Sequence, residues 1–141
     1  MDNCVFCKII KGDIPSYKVY EDDAVCVFLD IMPVNKGHIL VVPKTHHENI
    51  FTTPEEILGK IIAAVKKITP AVLKAAKAEG FNLLLNNGIA SGQIVEHLHF
   101  HIIPRFHNDR LKLWEGGAYE PGEAEEIQMA IRNNIGESKA N

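Results

Sequence analysis

Seven histidines stand in this chain, and three of them fall in one short run, His97-Leu98-His99-Phe100-His101-Ile102-Ile103. On a strand, successive side chains alternate faces, so His97, His99 and His101 would share one face while Leu98, Phe100 and Ile102 share the other. Solvated strand faces ordinarily carry Thr, Lys, Glu or Ser. An imidazole is nucleophilic when neutral, ligates metals, and titrates near neutrality. Three in register point to metal ligation or to nucleophilic and acid–base chemistry.

A second set of reactive side chains lies further away in sequence. Cys4 and Cys7 form C-x-x-C, and His46 follows a strand that Pro43 should end. Together with His97 they offer two thiolates and two imidazoles, a donor set suited to tetrahedral zinc. A redox pair is the competing reading of the two thiols, but it needs a preceding strand, and only Met1, Asp2 and Asn3 precede Cys4. Cys26, between Val25 and Val27, reads as a small core residue.

The elements that must hold these residues follow from punctuation and periodicity. Residues 5–10 read as a short helix stopped by Gly12. Residues 17–20 and 24–29 read as a hairpin around Glu21-Asp22-Asp23, and residues 38–42 as a further strand. Thr53-Pro54-Glu55-Glu56 is a helix start with Thr53 as the cap. Ile57, Leu58, Ile61, Ile62, Val65 and Ile68 then fall on one helical face. Pro70 should kink this helix and Gly80 should end it. Residues 81–86 and 97–103 read as strands flanking a Gly-rich turn at 87–93. Residues 123–135 read as an amphipathic terminal helix followed by a polar tail. Short-turn strands with one long helix imply an α+β fold with an antiparallel sheet.

Composition narrows the class. The chain has 141 residues, 46% hydrophobic and 23% charged, which fits an ordinary globular protein. The net charge of −3 lacks the basic field of a polymeric nucleic-acid binder. A local phosphate site stays open, because backbone N–H groups bind phosphate without net positive charge. The odd cysteine count and the absence of a basic-then-apolar leader argue against a secreted disulfide framework. No apolar run is long enough to span a bilayer. A cytoplasmic location, with no membrane partner, is the expectation.

The run from His97 to Ile103 resembles the signature of the histidine triad (HIT) superfamily, in its Hint-like branch. The similarity extends over roughly residues 4–105, through Cys4-Val5-Phe6-Cys7, Phe28-Leu29-Asp30-Ile31-Met32-Pro33, the segment from Gly37 to His46, Asn86-Asn87-Gly88 and Gly92-Gln93. The resemblance implies a HIT domain at 1–105, with 106–141 as an extension packing on it. It implies a nucleotide hydrolase acting on a purine nucleotide, with His99 as nucleophile on the α-phosphorus. His101 would hydrogen-bond the phosphate or assist proton transfer. Asn86 and Gln93 would bond around the phosphate, and Asp30 would accept from the ribose hydroxyls. Phe6, Ile9, Phe28 and Ile31 would wall the base pocket. Structural zinc on Cys4, Cys7, His46 and His97 is implied, and so is a homodimer.

One position departs from the family's habit. Where a Ser or Thr often follows the loop glycine by two residues, this chain has Ile94, which offers no hydroxyl. The missing hydroxyl counts against efficient phosphoramidate hydrolysis and leaves room for dinucleoside polyphosphates and other phosphate-anhydride leaving groups beside phosphoramidates. A zinc-stabilised nucleotide-binding module with little turnover is the alternative. No role is assigned to His38, His47 or His107.

Overall fold

A computed structural model describes residues 3–137. The residues before these, and the end of the expected polar tail, lie outside the described residues. Three helices, α1 (Val5–Lys11), α2 (Glu55–Ala76) and α3 (Glu123–Glu137), accompany five strands. The strands are β1 (Lys18–Glu21), β2 (Val25–Leu29), β3 (Ile39–Pro43), β4 (Gly80–Leu85) and β5 (Phe100–Arg105). They form one antiparallel sheet in the order β1-β2-β3-β5-β4. The expected α+β class is what the chain adopts.

Alternation along β2 and β3 divides the core in two. Val25, Val27, Ile39 and Val41 join Leu98, Phe100 and Ile102 in a cluster packed with Ile61, Ala64, Val65 and Ile68 of α2. Cys26, Phe28, Leu40 and Val42 point the other way and pack with Phe6 and Ile9 of α1. Both faces of the central strands are therefore covered, so their sequences read as continuous apolar runs. Burying one such side chain contributes about 1.5–3 kcal/mol.

Several local expectations are corrected. Thr53 does not cap α2. Its hydroxyl donates to the Asn49 carbonyl, and Pro54 occupies the cap position without a side-chain bond. The helix runs through Pro70 to Ala76. Pro70 is exposed, and beside it the Thr69 hydroxyl donates to the Val65 carbonyl at 2.6 Å. α2 ends on Lys77 in the left-handed region (φ 56°), while Gly80 opens β4. Ile62, expected on the buried face, is exposed. β5 begins only at Phe100, so His97 and His99 precede the strand instead of lying on it.

The chain divides into two compact units, one ending at Asp109 and one starting at Arg110. The first unit thus extends past Arg105. Arg105 donates from Nε (2.6 Å) and Nη2 (3.0 Å) to Asp109, whose carboxylate also accepts from Asn35 Nδ2 (3.0 Å) and the Phe106 amide (3.1 Å). This clip fastens the end of β5 to the loop between β2 and β3. The second unit carries α3, on which Ile127, Ile131 and Ile135 are exposed. Among the described residues, no helix is long and apolar enough to cross a membrane.

Candidate active site and metal centre

The residues singled out by type come together at one end of the sheet, on the face that carries α1. Cys4 precedes the first turn of α1 and Cys7 lies within it. Cys4 Sγ is 3.4 Å from His97 Nδ1, and Cys7 Sγ is 3.4 Å from His46 Nδ1 and 3.6 Å from His97 Nδ1. All four donor atoms lie within 4.8 Å of one another. A tetrahedral zinc with bonds of about 2.3 Å to sulfur and about 2.0 Å to nitrogen requires sulfur–nitrogen edges of about 3.5 Å. The donor set therefore fits that ion in element type and in spacing. His97 Nε2 donates to the Pro43 carbonyl at 2.9 Å, which leaves Nδ1 with its lone pair facing the cluster. His97 is fully buried, and burial pushes its pKa down to about 4. Burial also raises the Cys7 thiol, and the neighbouring Cys4 adds to the effect.

The triad histidines beyond His97 are held in defined tautomers. His99 Nδ1 donates to the His97 carbonyl at 2.6 Å, so Nε2 keeps an unprotonated lone pair. The Phe6 ring packs edge-on against His99 at 5.1 Å and against Phe28 at 5.5 Å. The same short helix thus carries both cysteine positions at its start and supports the His99 ring. Burial holds His99 below the ordinary imidazole range, so it is neutral at neutral pH.

His38 belongs to this site, although its position in the sequence carried no motif of its own. The Val34 amide donates to His38 Nδ1 at 3.1 Å, which places the His38 proton on Nε2. That proton faces His101 Nδ1 at 2.9 Å. His101 must then carry its own proton on Nε2, an atom that is buried with no partner among the described residues. Asp30 Oδ2 lies 3.7 Å from His38 Nε2. Burial, with His99 and His38 alongside, pushes His101 down to about 4. Burial lowers His38 as well, against the opposing pull of Asp30. The sequence signals for His38 were its place in the Gly37–His46 stretch and at the head of a strand that pairs with β5. Its Leu40 neighbour sits opposite His101 in the register.

The loop residues divide by what their side chains already do. Gln93 accepts from the Gly88 amide at 2.7 Å and donates to the Glu48 and Val95 carbonyls at 2.6 and 3.2 Å. Its side chain is buried and committed to backbone groups. Asn87 accepts from the Ile50 amide at 2.9 Å. Asn86 directly follows β4, and its Nδ2 would lie 3.7 Å from a Cβ at Gly92. Asp30 accepts from the Met32 amide through Oδ1 at 2.8 Å. Phe6, Ile9 and Phe28 are buried in the α1 cluster and offer little surface, whereas Ile31 is 83% exposed.

Chemically, the assembly presents a neutral imidazole with a free lone pair at His99, an N–H on the neighbouring His101 ring, and a cluster of four potential metal donors. The HIT domain family matches residues 11–108 of this chain. "Protein hit" of Bacillus subtilis is 45% identical over 141 residues, covering 97% of each chain. Adenosine 5'-monophosphoramidase HNT1 of Candida albicans is 44% identical over 108 residues, covering 73% of this chain and 70% of its own. Adenylylsulfatase HINT3 of Arabidopsis thaliana is 44% identical, covering 78% of this chain and 56% of its own. Among solved structures, a HIT family protein from Bacillus subtilis superposes with a TM-score of 0.84 at 46% identity, over 93% of this chain and 96% of that one. A Zn-bound histidine triad family protein from Mycobacterium smegmatis superposes with a TM-score of 0.76 at 34% identity, over 92% and 98%.

Proposed function

The chain belongs to the HIT family, and on that premise we propose that it is a nucleotide hydrolase that releases a nucleoside monophosphate through a nucleotidyl-histidine intermediate. The observation that carries this reading is the pair of fixed tautomers: a lone pair on His99 Nε2 beside an N–H on His101 Nε2. His99 attacks the α-phosphorus and displaces the leaving group, splitting one hard displacement into two easier ones. Water then breaks the nitrogen–phosphorus bond. Overall, one P–X bond and one O–H bond of water break, and one P–O and one X–H bond form. His101 donates to a phosphoryl oxygen or to the leaving atom as charge develops there.

Asn86 is the side chain left to meet the phosphate, while Gln93 is a positioning residue that ties its loop together through the Gly88 amide and the Glu48 carbonyl. Asp30 accepts from the ribose hydroxyls through Oδ2 and Ile31 covers the purine, while the buried Phe6, Ile9 and Phe28 support the pocket from behind. Relatives named as a monophosphoramidase and an adenylylsulfatase support a substrate in which AMP is joined to a small group.

Zinc would be held by Cys4, Cys7, His46 and His97. With four protein donors it supplies no reaction chemistry and fixes the carbonyl of His97, to which His99 is bonded. A second copy of the chain would cover the outer edge of β4, where Phe81 and Leu83 are exposed. Free thiols at Cys4, Cys7 and Cys26 suit a reducing compartment such as the cytoplasm. Native mass spectrometry is expected to give twice the chain mass plus one zinc per chain. A metal-free monomer would remove both assignments.

The direct test of the hydrolase is His99→Ala assayed for AMP release from adenosine 5'-phosphoramidate. Loss of about 10⁴-fold or more in kcat is expected for a removed nucleophile. Retained turnover in a folded variant would exclude the covalent route.

A further inference from the structure

The segment from Asp30 to His38 joins β2 to β3 and carries a group of the site at each end. Its own apolar side chains do not hold it, for Ile31, Met32 and Val34 are exposed. Backbone bonds close it instead. The Asp30 amide donates to the His38 carbonyl at 3.0 Å, and the His38 amide to the Asn35 carbonyl at 3.1 Å. The Val34 amide reaches His38 Nδ1. The conformation of residues 34–38 thus decides whether His38 keeps its proton on Nε2, toward His101.

Asn35 ties this turn to the rest of the domain. Its Nδ2 donates to the Pro104 carbonyl at 2.9 Å and to Asp109 Oδ2 at 3.0 Å. An amide NH₂ has two protons, and these bonds use both. The Asp109 side chain is 6% exposed, and Arg105 grips it through Nε and Nη2. Arg105 Nη1 in turn donates to Asn82 Oδ1 on β4 at 2.7 Å. A forked guanidinium–carboxylate pair of this kind fixes direction as well as distance.

These bonds close a ring. β5 carries both His101 and Arg105. From Arg105 the ring runs through Asp109 and Asn35 to the turn at His38, and His38 returns to His101 Nδ1 at 2.9 Å. We propose that Asn35, held by the Arg105–Asp109 pair, is a positioning residue that sets the turn orienting His38 toward His101 and Asp30 toward the substrate. Its effect on turnover rests on the hydrolase reading given above, whereas its effect on the His38 tautomer does not.

Asn35→Ala removes both side-chain bonds and leaves Asp109 on Arg105. Two measurements are made on the full chain. Nitrogen NMR shifts of the His38 and His101 rings report which nitrogen carries the proton. His38 is expected as the Nε2–H tautomer in the wild-type protein and as a mixture of tautomers in Asn35→Ala. AMP release from adenosine 5'-phosphoramidate should fall about 10- to 100-fold in kcat/KM, the scale of a displaced positioning group. Asn82→Ala, which removes one Arg105 bond without touching the turn, should leave both readouts near wild type. If Asn35→Ala loses its cooperative melting transition, Asp109→Asn, which keeps the shape and removes the charge that Arg105 and Asn35 share, repeats the test. Unmoved ring shifts in a folded variant overturn the proposal, even with a lower melting temperature, and so does a wild-type His38 protonated on Nδ1. Moved shifts with full kcat/KM overturn its bearing on the reaction. Moved shifts in a protein whose wild type releases no AMP remove the hydrolase reading and keep the positioning of His38.

Discussion

At the scale of single residues, reactivity here is a matter of which nitrogen holds the proton. A histidine has two, and each bond to one decides the other. The Val34 amide, by donating to His38 Nδ1, fixes a sequence of tautomers that ends on His101 Nε2. On the proposed route His38 would touch no reacting atom and would act through His101, to which it is bonded. His38→Phe is therefore expected to lower kcat by about 10²-fold and to move the acid limb of the pH–rate profile. His38→Asn, whose amide can still donate to His101 Nδ1, should recover much of the loss. A drop in melting temperature with an unmoved pH profile would reduce His38 to a packing residue. The triad was legible in the sequence because its period of two is rare. His38 was not, since a lone histidine among valines and leucines looks like any other strand residue.

At the scale of elements, the site depends on turns as much as on strands. Gly37 has φ +86°, and a Cβ there would sit 3.0 Å from Ala76 Cβ and 3.2 Å from Pro104 Cγ. Gly37→Ala meets both a disfavoured backbone region and two fixed neighbours, so a loss of about 1–3 kcal/mol is expected. Urea denaturation measures it, and a loss below half a kcal/mol would show that the neighbours yield. The sequence revealed the order of elements, because apolar runs and breakers mark them. It misplaced their ends. Thr53 looked like a cap, yet its hydroxyl serves the preceding turn. Pro70 looked like a break, but it lies on the exposed side of a helix held by Ile61, Val65 and Ile68 on the buried side. The histidine strand began later than its alternation implied, because His97 and His99 are fixed by the Pro43 carbonyl and by their own backbone instead of by a ladder.

At the scale of the whole molecule, a cluster of neutral buried imidazoles ties stability to pH. In the unfolded chain His101 takes a proton near its ordinary value of about 6.5, whereas in the fold burial holds it down to about 4. Between those values the unfolded state binds a proton that the folded state refuses. Stability should therefore be level above about pH 6.5, decline as pH falls towards about 4, and level off again below that. Urea midpoints across this range test it, and His101→Gln should flatten the slope. A midpoint independent of pH would mean that the imidazole titrates as it does in solvent. The four-donor set was legible as residue types suited to zinc, but its assembly was not, since its members are scattered along the chain and proximity is a product of folding. That scatter has a consequence for how the protein is made. Cys4 meets its partner His97 across a separation of 93 residues. On the ribosome Cys4 emerges 93 residues ahead of His97. Contacts of such long range form late and slowly. During synthesis Cys4 and Cys7 are therefore exposed to stray metal and to oxidants, and the four donors meet only once the segment bearing His97 has emerged.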